Sequence, residues 1–394
     1  MAHPEKEKVP RSFSRREFII GSAFLGASLF ASKWSVEKVT QNFSPTPNLE
    51  EFKGFTVLPP EYLTPPEITG INLNSPFLWR EVDSPQKIEK AIQNANQFGA
   101  RTLRVFINDE FEPELGNYHF KVLEKVEKLA QRFPLQVDLF DAYPLLHANK
   151  FNLTHGSSFL SSPYLSVGKE KSLAQRQLDF FTDETIRKIF LKRVKEIIGR
   201  LNHVPQVVAW SVANELAPPV GTKEEARKML SHWYEKVIIT IRQIDKERPI
   251  ISGVADPTLL DEKRLKESGL SANTIHLYPN LTDSVGSAFK LYQTQHQKAL
   301  PLVCQEIGFP SQILGLSFSF AHDELFSRYL SHSLSHFVEI NKKERWLRPK
   351  VTSIGLWRLT FEGDSHQDGL GISPEKLPQT LKILQTWEKT IRKC

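Results

Sequence analysis

The chain of 394 residues is 40% hydrophobic and 24% charged, apolar enough to bury a large core and not biased enough for a disordered or low-complexity protein. Its 51 Lys and Arg against 45 Asp and Glu leave a formal net charge of +6, with both signs mixed along the chain, which argues against a nucleic-acid partner. Two cysteines, Cys304 within an apolar run and Cys394 as the last residue, exclude a disulfide framework, a cysteine-rich zinc centre and an iron–sulfur cluster.

In chain order, the first informative segment is Ser14-Arg15-Arg16-Glu17-Phe18-Ile19, followed by an apolar stretch diluted by Gly21, Ser22, Gly26 and Ser28. It resembles a bacterial twin-arginine export signal, and that resemblance implies delivery of an already folded protein to the periplasm, the cell envelope or the medium. The uncharged run from Phe18 to Ser32 is shorter than the roughly 20 residues that a membrane span requires. Leu29-Phe30-Ala31 puts a large residue where a cleavage site wants a small one, so residues 1–32 are read as a signal peptide or a retained membrane tether. Residues 33–66, with Pro45, Pro47, Pro59, Pro60, Pro65 and Pro66, read as a semi-rigid lead-in, and the globular domain is placed at 67–394.

From Ile68 onward, apolar β-rich runs alternate with amphipathic stretches. The pattern predicts strand 68–73, helix 84–98, strand 101–107, helix 117–132, strand 135–140 and then a long excursion at 145–181. It continues with helix 182–201, strand 206–212, helix 222–247, strand 249–254, a weak helix 257–267 and strand 273–277. Helix 283–299, strand 301–306, helix 321–343, strand 351–357 and helix 376–392 complete the series. Thr182-Asp183-Glu184 and Thr222-Lys223-Glu224 read as helix starts, while Arg248-Pro249 and Leu300-Pro301 stop helices just before strands. Eight strand–helix units predict an α/β fold of the single (β/α)8 barrel type. A doubly wound sheet would carry a glycine-rich loop after its first strand, whereas this chain has Asn72-Leu73-Asn74-Ser75-Pro76-Phe77, and no nucleotide cofactor is expected. The excursion exceeds the length of an ordinary connection and is expected to wall part of the cleft.

In such a barrel the chemistry sits at the C-terminal ends of the strands. Strand four ends Val212-Ala213-Asn214-Glu215 and strand seven ends Val303-Cys304-Gln305-Glu306, which puts two carboxylates at one mouth. Charged groups next to long apolar runs are costly to bury, so each must be exposed, paired or functional. A carboxylate pair without a cofactor motif suits glycoside hydrolysis, in which one group is a protonated acid and the other a nucleophile. A separation of about 5 to 5.5 Å retains the anomeric configuration, and a larger one admits a water and inverts it.

With these residues, the chain resembles the retaining (β/α)8 glycosidases, closest in style to the cellulases and β-mannanases of glycoside hydrolase family five, over about residues 68–392. The resemblance implies Glu306 as nucleophile, Glu215 as acid/base and Asn214 as the asparagine that contacts the sugar 2-hydroxyl. It also implies Arg104 as the second-strand arginine that keeps the nucleophile ionised, His276 and Tyr278 as the sixth-strand pair, and Trp357 as a sugar platform. Glu215 is expected to have a raised proton affinity from partial burial and from Glu306. Asp141 stands after strand three, where Phe140 replaces an expected histidine, and is a further expected sugar contact. His322, His332 and His336 read as a solvated helix face rather than a metal site, and no metal is expected. The resemblance implies a substrate that is a β-linked oligo- or polysaccharide of the β-1,4-mannan or β-glucan type. The alternative class is an envelope protein that binds carbohydrate in the same cleft without turnover.

Overall fold

The computed structural model describes residues 70–73, 85–100, 102–107, 120–140, 173–278, 300–308, 312–313, 316–317, 323–324, 326–331, 333–334, 351–359 and 376–393. The apolar runs form strands β1 (Gly70–Leu73), β2 (Thr102–Phe106), β3 (Leu135–Asp138), β4 (Val207–Ser211), β5 (Ile250–Ile251), β6 (Asn273–Leu277) and β7 (Leu302–Ile307). A small hairpin of β8 (Gln312–Ile313) and β9 (Leu316–Ser317) then precedes β10 (Val351–Leu359). The helices are α1 (Pro85–Gln97), α2 (Phe120–Ala130), α3 (Leu173–Thr182), α4 (Glu184–Leu201), α5 (Lys223–Ile244), α6 (Glu262–Glu267) and α7 (Pro378–Lys393).

Eight strands pair in the order β5-β4-β3-β2-β1-β10-β7-β6. Every pairing in this sheet is parallel. The two ends of the series meet at a parallel bridge between Ile251 and Ala272, where Ser271 N–H donates to Ile250 O at 2.7 Å and Ser252 N–H to Ala272 O at 3.2 Å. The sheet is therefore closed, and the fold is the (β/α)8 barrel that the strand–helix count predicts. β2, β3, β6 and β7 are buried at every residue, as strands covered by helices outside and by packed side chains inside must be.

Most element boundaries fall within a few residues of the sequence pattern, and the exceptions have local causes. β5 is two residues long instead of the six expected at 249–254, because the carbonyls after Ile251 serve other partners. Gly253 O accepts from Glu215 N–H, Val254 O from the Thr274 hydroxyl and Ala255 O from His276 N–H. The weak helix 257–267 divides into a 3-10 turn at Pro257–Leu259 and α6, capped by Asp256 and Asp261. The excursion ends in an unanticipated helix, α3, whose Phe180 and Phe181 are buried in the main core. Phe180 stacks on Phe140 at 5.2 Å and meets Trp233 at 5.4 Å, with Phe190 closing the cluster. The export signal, the lead-in, the earlier part of the excursion and helix 283–299 lie outside the described residues, as do His322, His332 and His336. Among the described residues, no helix is long and apolar enough to cross a membrane.

α4 and α5 start where the sequence places them. Asp183 accepts from the N–H groups of Thr185 and Ile186, and the Thr222 hydroxyl accepts from Glu225 N–H. At the opposite end of the barrel from the strand C-termini, Arg248 binds the carbonyls of Val207, Asn202 and Val204 at 2.5, 2.8 and 2.9 Å. Its partner Asp245 accepts from Arg248 Nη1 at 2.7 Å and from Trp210 Nε1 at 2.8 Å, which ties the end of α5 to β4. Burial alone would raise the Asp245 carboxyl, but the bonds from Arg248, Trp210 and two backbone N–H groups outweigh it and hold the group below the usual carboxylate range. A carboxyl depressed in the folded state stabilises the protein above its unfolded pKa, and that stabilisation is lost as pH falls through the folded value. Asp245→Asn is therefore expected to destabilise the barrel by about 1.5 to 3 kcal/mol at pH 7 in urea unfolding. The deficit relative to the parent should shrink below about pH 4, and a deficit independent of pH would contradict the charge-based account.

Candidate active site

At the C-terminal mouth, the chain continues β4 past its last regular residue by alternating between two neighbours. Asn214 N–H donates to Phe140 O at 2.7 Å on one side, and Glu215 N–H donates to Gly253 O at 2.9 Å on the other. Glu215 adopts φ +51, a left-handed conformation that a non-glycine residue holds only when its surroundings force it. Gly253 supplies part of that force: its φ is +80, and a Cβ there would stand 1.7 Å from Ala213 O. The two irregular residues thus lock together and hold the acid side chain at the mouth.

On β7 the register shifts by one residue against both neighbours. Ile275 pairs with Cys304 and His276 with Glu306, so Gln305 is the extra residue of a β-bulge. The bulge lets Gln305 and Glu306, consecutive in sequence, both reach groups of the barrel mouth. Glu306 is 2% exposed, accepts from Arg104 Nη1 at 2.6 Å on Oε1, and accepts from the Tyr278 hydroxyl at 2.6 Å on Oε2. Both oxygens of the carboxylate are fixed by donors, one of them a cation.

His276 stands between the two glutamates, with Nδ1 at 2.9 Å from Glu215 Oε1 and 3.2 Å from Glu306 Oε2. Its Nε2–H donates to Gln305 Oε1 at 3.2 Å, and Gln305 Nε2 donates to Ser211 Oγ at 3.2 Å. Glu215, His276 and Glu306 each offer an atom within 4.8 Å of the others. A divalent cation could in principle use these donors, but the Arg104 guanidinium already lies on Glu306 and would repel it.

Arg104 carries the electrostatics of the site. It is 2% exposed, and besides Glu306 it binds Asp138 Oδ1 at 3.0 Å, Asp138 Oδ2 at 2.5 Å and Asn214 Oδ1 at 2.9 Å. Burial opposes its charge, yet the carboxylates of Asp138 and Glu306 overcome this and raise its proton affinity above that of an ordinary arginine. Asn214 is oriented by this contact. Of the residues singled out in the sequence, Arg104, Asn214, Glu215, His276, Tyr278 and Glu306 converge. Trp357 lies on β10, one residue beyond the Leu356–Ile307 pair, although its side chain is outside the described set, and Asp141 is outside it altogether.

Sequence reasoning passed over Asp138, Gln305 and Ser211. A signal for Asp138 was present, since Gln136 and Asp138 alternate with apolar residues along strand three and so share one face. No comparable signal marks Gln305, because a bulge is not written in a two-residue period.

Comparison with known proteins adds an independent strand of evidence. The family model for beta-galactosidases of glycoside hydrolase family 42 matches residues 75–247, under half of the chain. No curated protein sequence matches. Among solved structures, the endo-β-1,4-mannanase from Thermotoga petrophila is similar with a TM-score of 0.59 at 15% identity, over 83% of this chain and 77% of that one. The exo-β-1,4-mannosidase from Opitutaceae bacterium strain TAV5 is similar with a TM-score of 0.57 at 17% identity, over 83% of this chain and 59% of that one. Endo-glycoceramidase II from Rhodococcus sp., solved as a lactosyl-enzyme intermediate, has a TM-score of 0.53 at 16% identity, over 82% of this chain and 78% of that one.

Gly253→Ala tests the coupling of Gly253 to Glu215. The strained φ and the displaced carbonyl together are expected to destabilise the barrel by about 2 to 6 kcal/mol, read from the shift in denaturation midpoint. A midpoint equal to that of the parent would show that the Ala213 carbonyl moves freely. Barrel fold, family match and carboxylate geometry together identify a (β/α)8-barrel glycosidase.

Proposed function

We propose that this glycosidase acts on β-linked glycans of the β-1,4-mannan or β-glucan type by double displacement, with retention of anomeric configuration. The observation that carries the reading is the approach of Glu215 and Glu306 to within 4.8 Å, with Arg104 and Tyr278 both donating to Glu306. A carboxylate paired with a cation and oriented by a hydroxyl suits a nucleophile. Glu215, whose side chain is 19% exposed against 2% for Glu306, is the more accessible of the two, which suits the group that exchanges protons with a leaving group and with water.

In the first step, a Glu306 oxygen bonds to the anomeric carbon while the glycosidic bond breaks and Glu215 gives its proton to the departing oxygen. In the second, the Glu215 carboxylate takes a proton from water as the water oxygen attacks the same carbon and releases Glu306. His276 contacts both carboxylates through Nδ1 and so fixes their relative position. Asn214, held by Arg104, is placed to bond the sugar 2-hydroxyl, an interaction that strengthens in the transition state. Trp357 and Asp141 complete the proposed sugar contacts. The mannan-directed and mannoside-directed neighbours support the substrate class, and the lactosyl-enzyme form of another neighbour supports the covalent step. The twin-arginine pattern supports export to the envelope or beyond, where such glycans are met.

The test uses the full chain with mannan, glucan and xylan and with aryl β-mannosides, β-glucosides and β-galactosides, following product anomers by NMR. First-formed product with the β configuration is expected, and inverted product would sink the mechanism. Glu306→Ala should lower kcat on every substrate by about 10³-fold or more. Glu215→Ala should lower kcat/KM by about 10² to 10⁴-fold on glycans, and much less on aryl glycosides whose leaving group needs no proton. Equal losses on both substrate types would remove Glu215 from the acid role, and silence of the folded parent on the whole panel would favour the binding-protein alternative.

A further inference from the structure

We propose that Asp138 is the permanent counter-ion of Arg104, keeping the buried guanidinium balanced when Glu306 loses its charge to the covalent intermediate. The proposal rests on the double-displacement reading and adds to it a role for Asp138, which pairs with Arg104 on β2.

The argument is an account of charge in a closed volume. Asp138, Arg104 and Glu306 are 0%, 2% and 2% exposed, so water screens none of them well. Asp138 grips Arg104 through both of its oxygens, at 3.0 and 2.5 Å, and Gln136 Nε2 donates to one of them at 3.3 Å. Its backbone is set opposite Phe106 on β2 and Ser211 on β4, a position fixed by register on both sides. In the resting site, one cation faces two carboxylates. When Glu306 bonds to the anomeric carbon, the glycosidic C–O bond breaks, the leaving oxygen takes the Glu215 proton, and Glu306 becomes a neutral ester. One cation then faces one carboxylate, Asp138, and the pair is neutral. Without Asp138 the same step would leave a buried guanidinium unpaired, a state that proteins tolerate poorly. Formation of the glycosyl-enzyme, and not its hydrolysis, should therefore depend on Asp138.

A purely structural Asp138, one that only holds Arg104 in place, predicts a different pattern. Its loss would loosen Arg104 from Glu306 and slow both steps. The counter-ion role predicts that only the first step is slowed.

The experiment compares Asp138→Asn and Asp138→Glu with the parent on an activated aryl glycoside, by pre-steady-state kinetics. Asp138→Asn is expected to lower kcat/KM by about 10²-fold or more and to shrink the burst of aryl alcohol. Asp138→Glu should recover at least tenfold of the loss. An unchanged burst with kcat and kcat/KM falling together overturns the proposal. A second arm needs no activity, so it stands apart from the glycosidase reading. Glu306→Gln, which imitates the neutral ester, should unfold near the parental midpoint, and adding Asp138→Asn to it should lower the midpoint by more than Asp138→Asn does in the parent. If Asp138→Asn alone fails to fold, Arg104→Met should restore folding by removing the cation. Additive midpoint shifts, or no restoration, overturn the counter-ion role even if the enzyme proves inactive on every glycan tried.

Discussion

The guanidinium of Arg104 is the contact on which the mouth of this barrel depends. From β2 it reaches Asp138 on β3, Asn214 beyond β4 and Glu306 on β7, and so joins four of the eight barrel strands through one side chain. A buried cation needs compensation from every side, and a planar fork with several donors meets that need as an ammonium could not. The rigidity of the carboxylate pair follows from this arrangement. Glu306 cannot turn away without abandoning both Arg104 and Tyr278, and Asn214 cannot turn without losing Arg104.

The barrel places these groups by regular means in one half and irregular means in the other. Arg104 and Asp138 stand at ordinary register positions of paired parallel strands. Glu215 and Gln305 do not: one follows a left-handed residue geometry beside a glycine that admits no Cβ, and the other occupies a bulge. Irregular backbone of this kind is held at functional sites because packing around it leaves no alternative. At the opposite end, the clasp of Arg248 and Asp245 around the start of β4 serves stability alone, the division of labour usual in this architecture.

The same division explains what the sequence discloses. The strand–helix alternation is legible because hydrophobic period reports burial directly, and the strand ends Asn214-Glu215 and Glu306 stand out because charge is rare after apolar runs. Arg104, an arginine inside Leu103-Arg104-Val105-Phe106, is visible for the same reason. Asp138 was equally visible as a polar residue in phase with Gln136, but only the folded chain shows that its partner is Arg104, 34 residues away. Gln305 and Gly253 were illegible because register shifts and positive φ arise from contacts between distant segments, which local pattern does not encode. The shortness of β5 has the same origin, since its missing ladder bonds go to Glu215, Thr274 and His276.

The pairing of β1 with β10 joins Gly70 to Gly355, whereas the other strand neighbours in the barrel follow one another in order along the chain. That one seam closes a loop of nearly the whole domain, and it forms late if entropy orders the events of folding. Arg104 and Asp138 lie on β2 and β3, neighbours in chain order, whereas Glu306, His276 and Tyr278 belong to the trailing strands. The bond from Arg104 to Glu306 then joins the second strand to the seventh across the ring. Catalytic competence is consequently a property of the completed circle, and turnover would report closure of the cylinder as sensitively as any spectroscopic probe of tertiary structure.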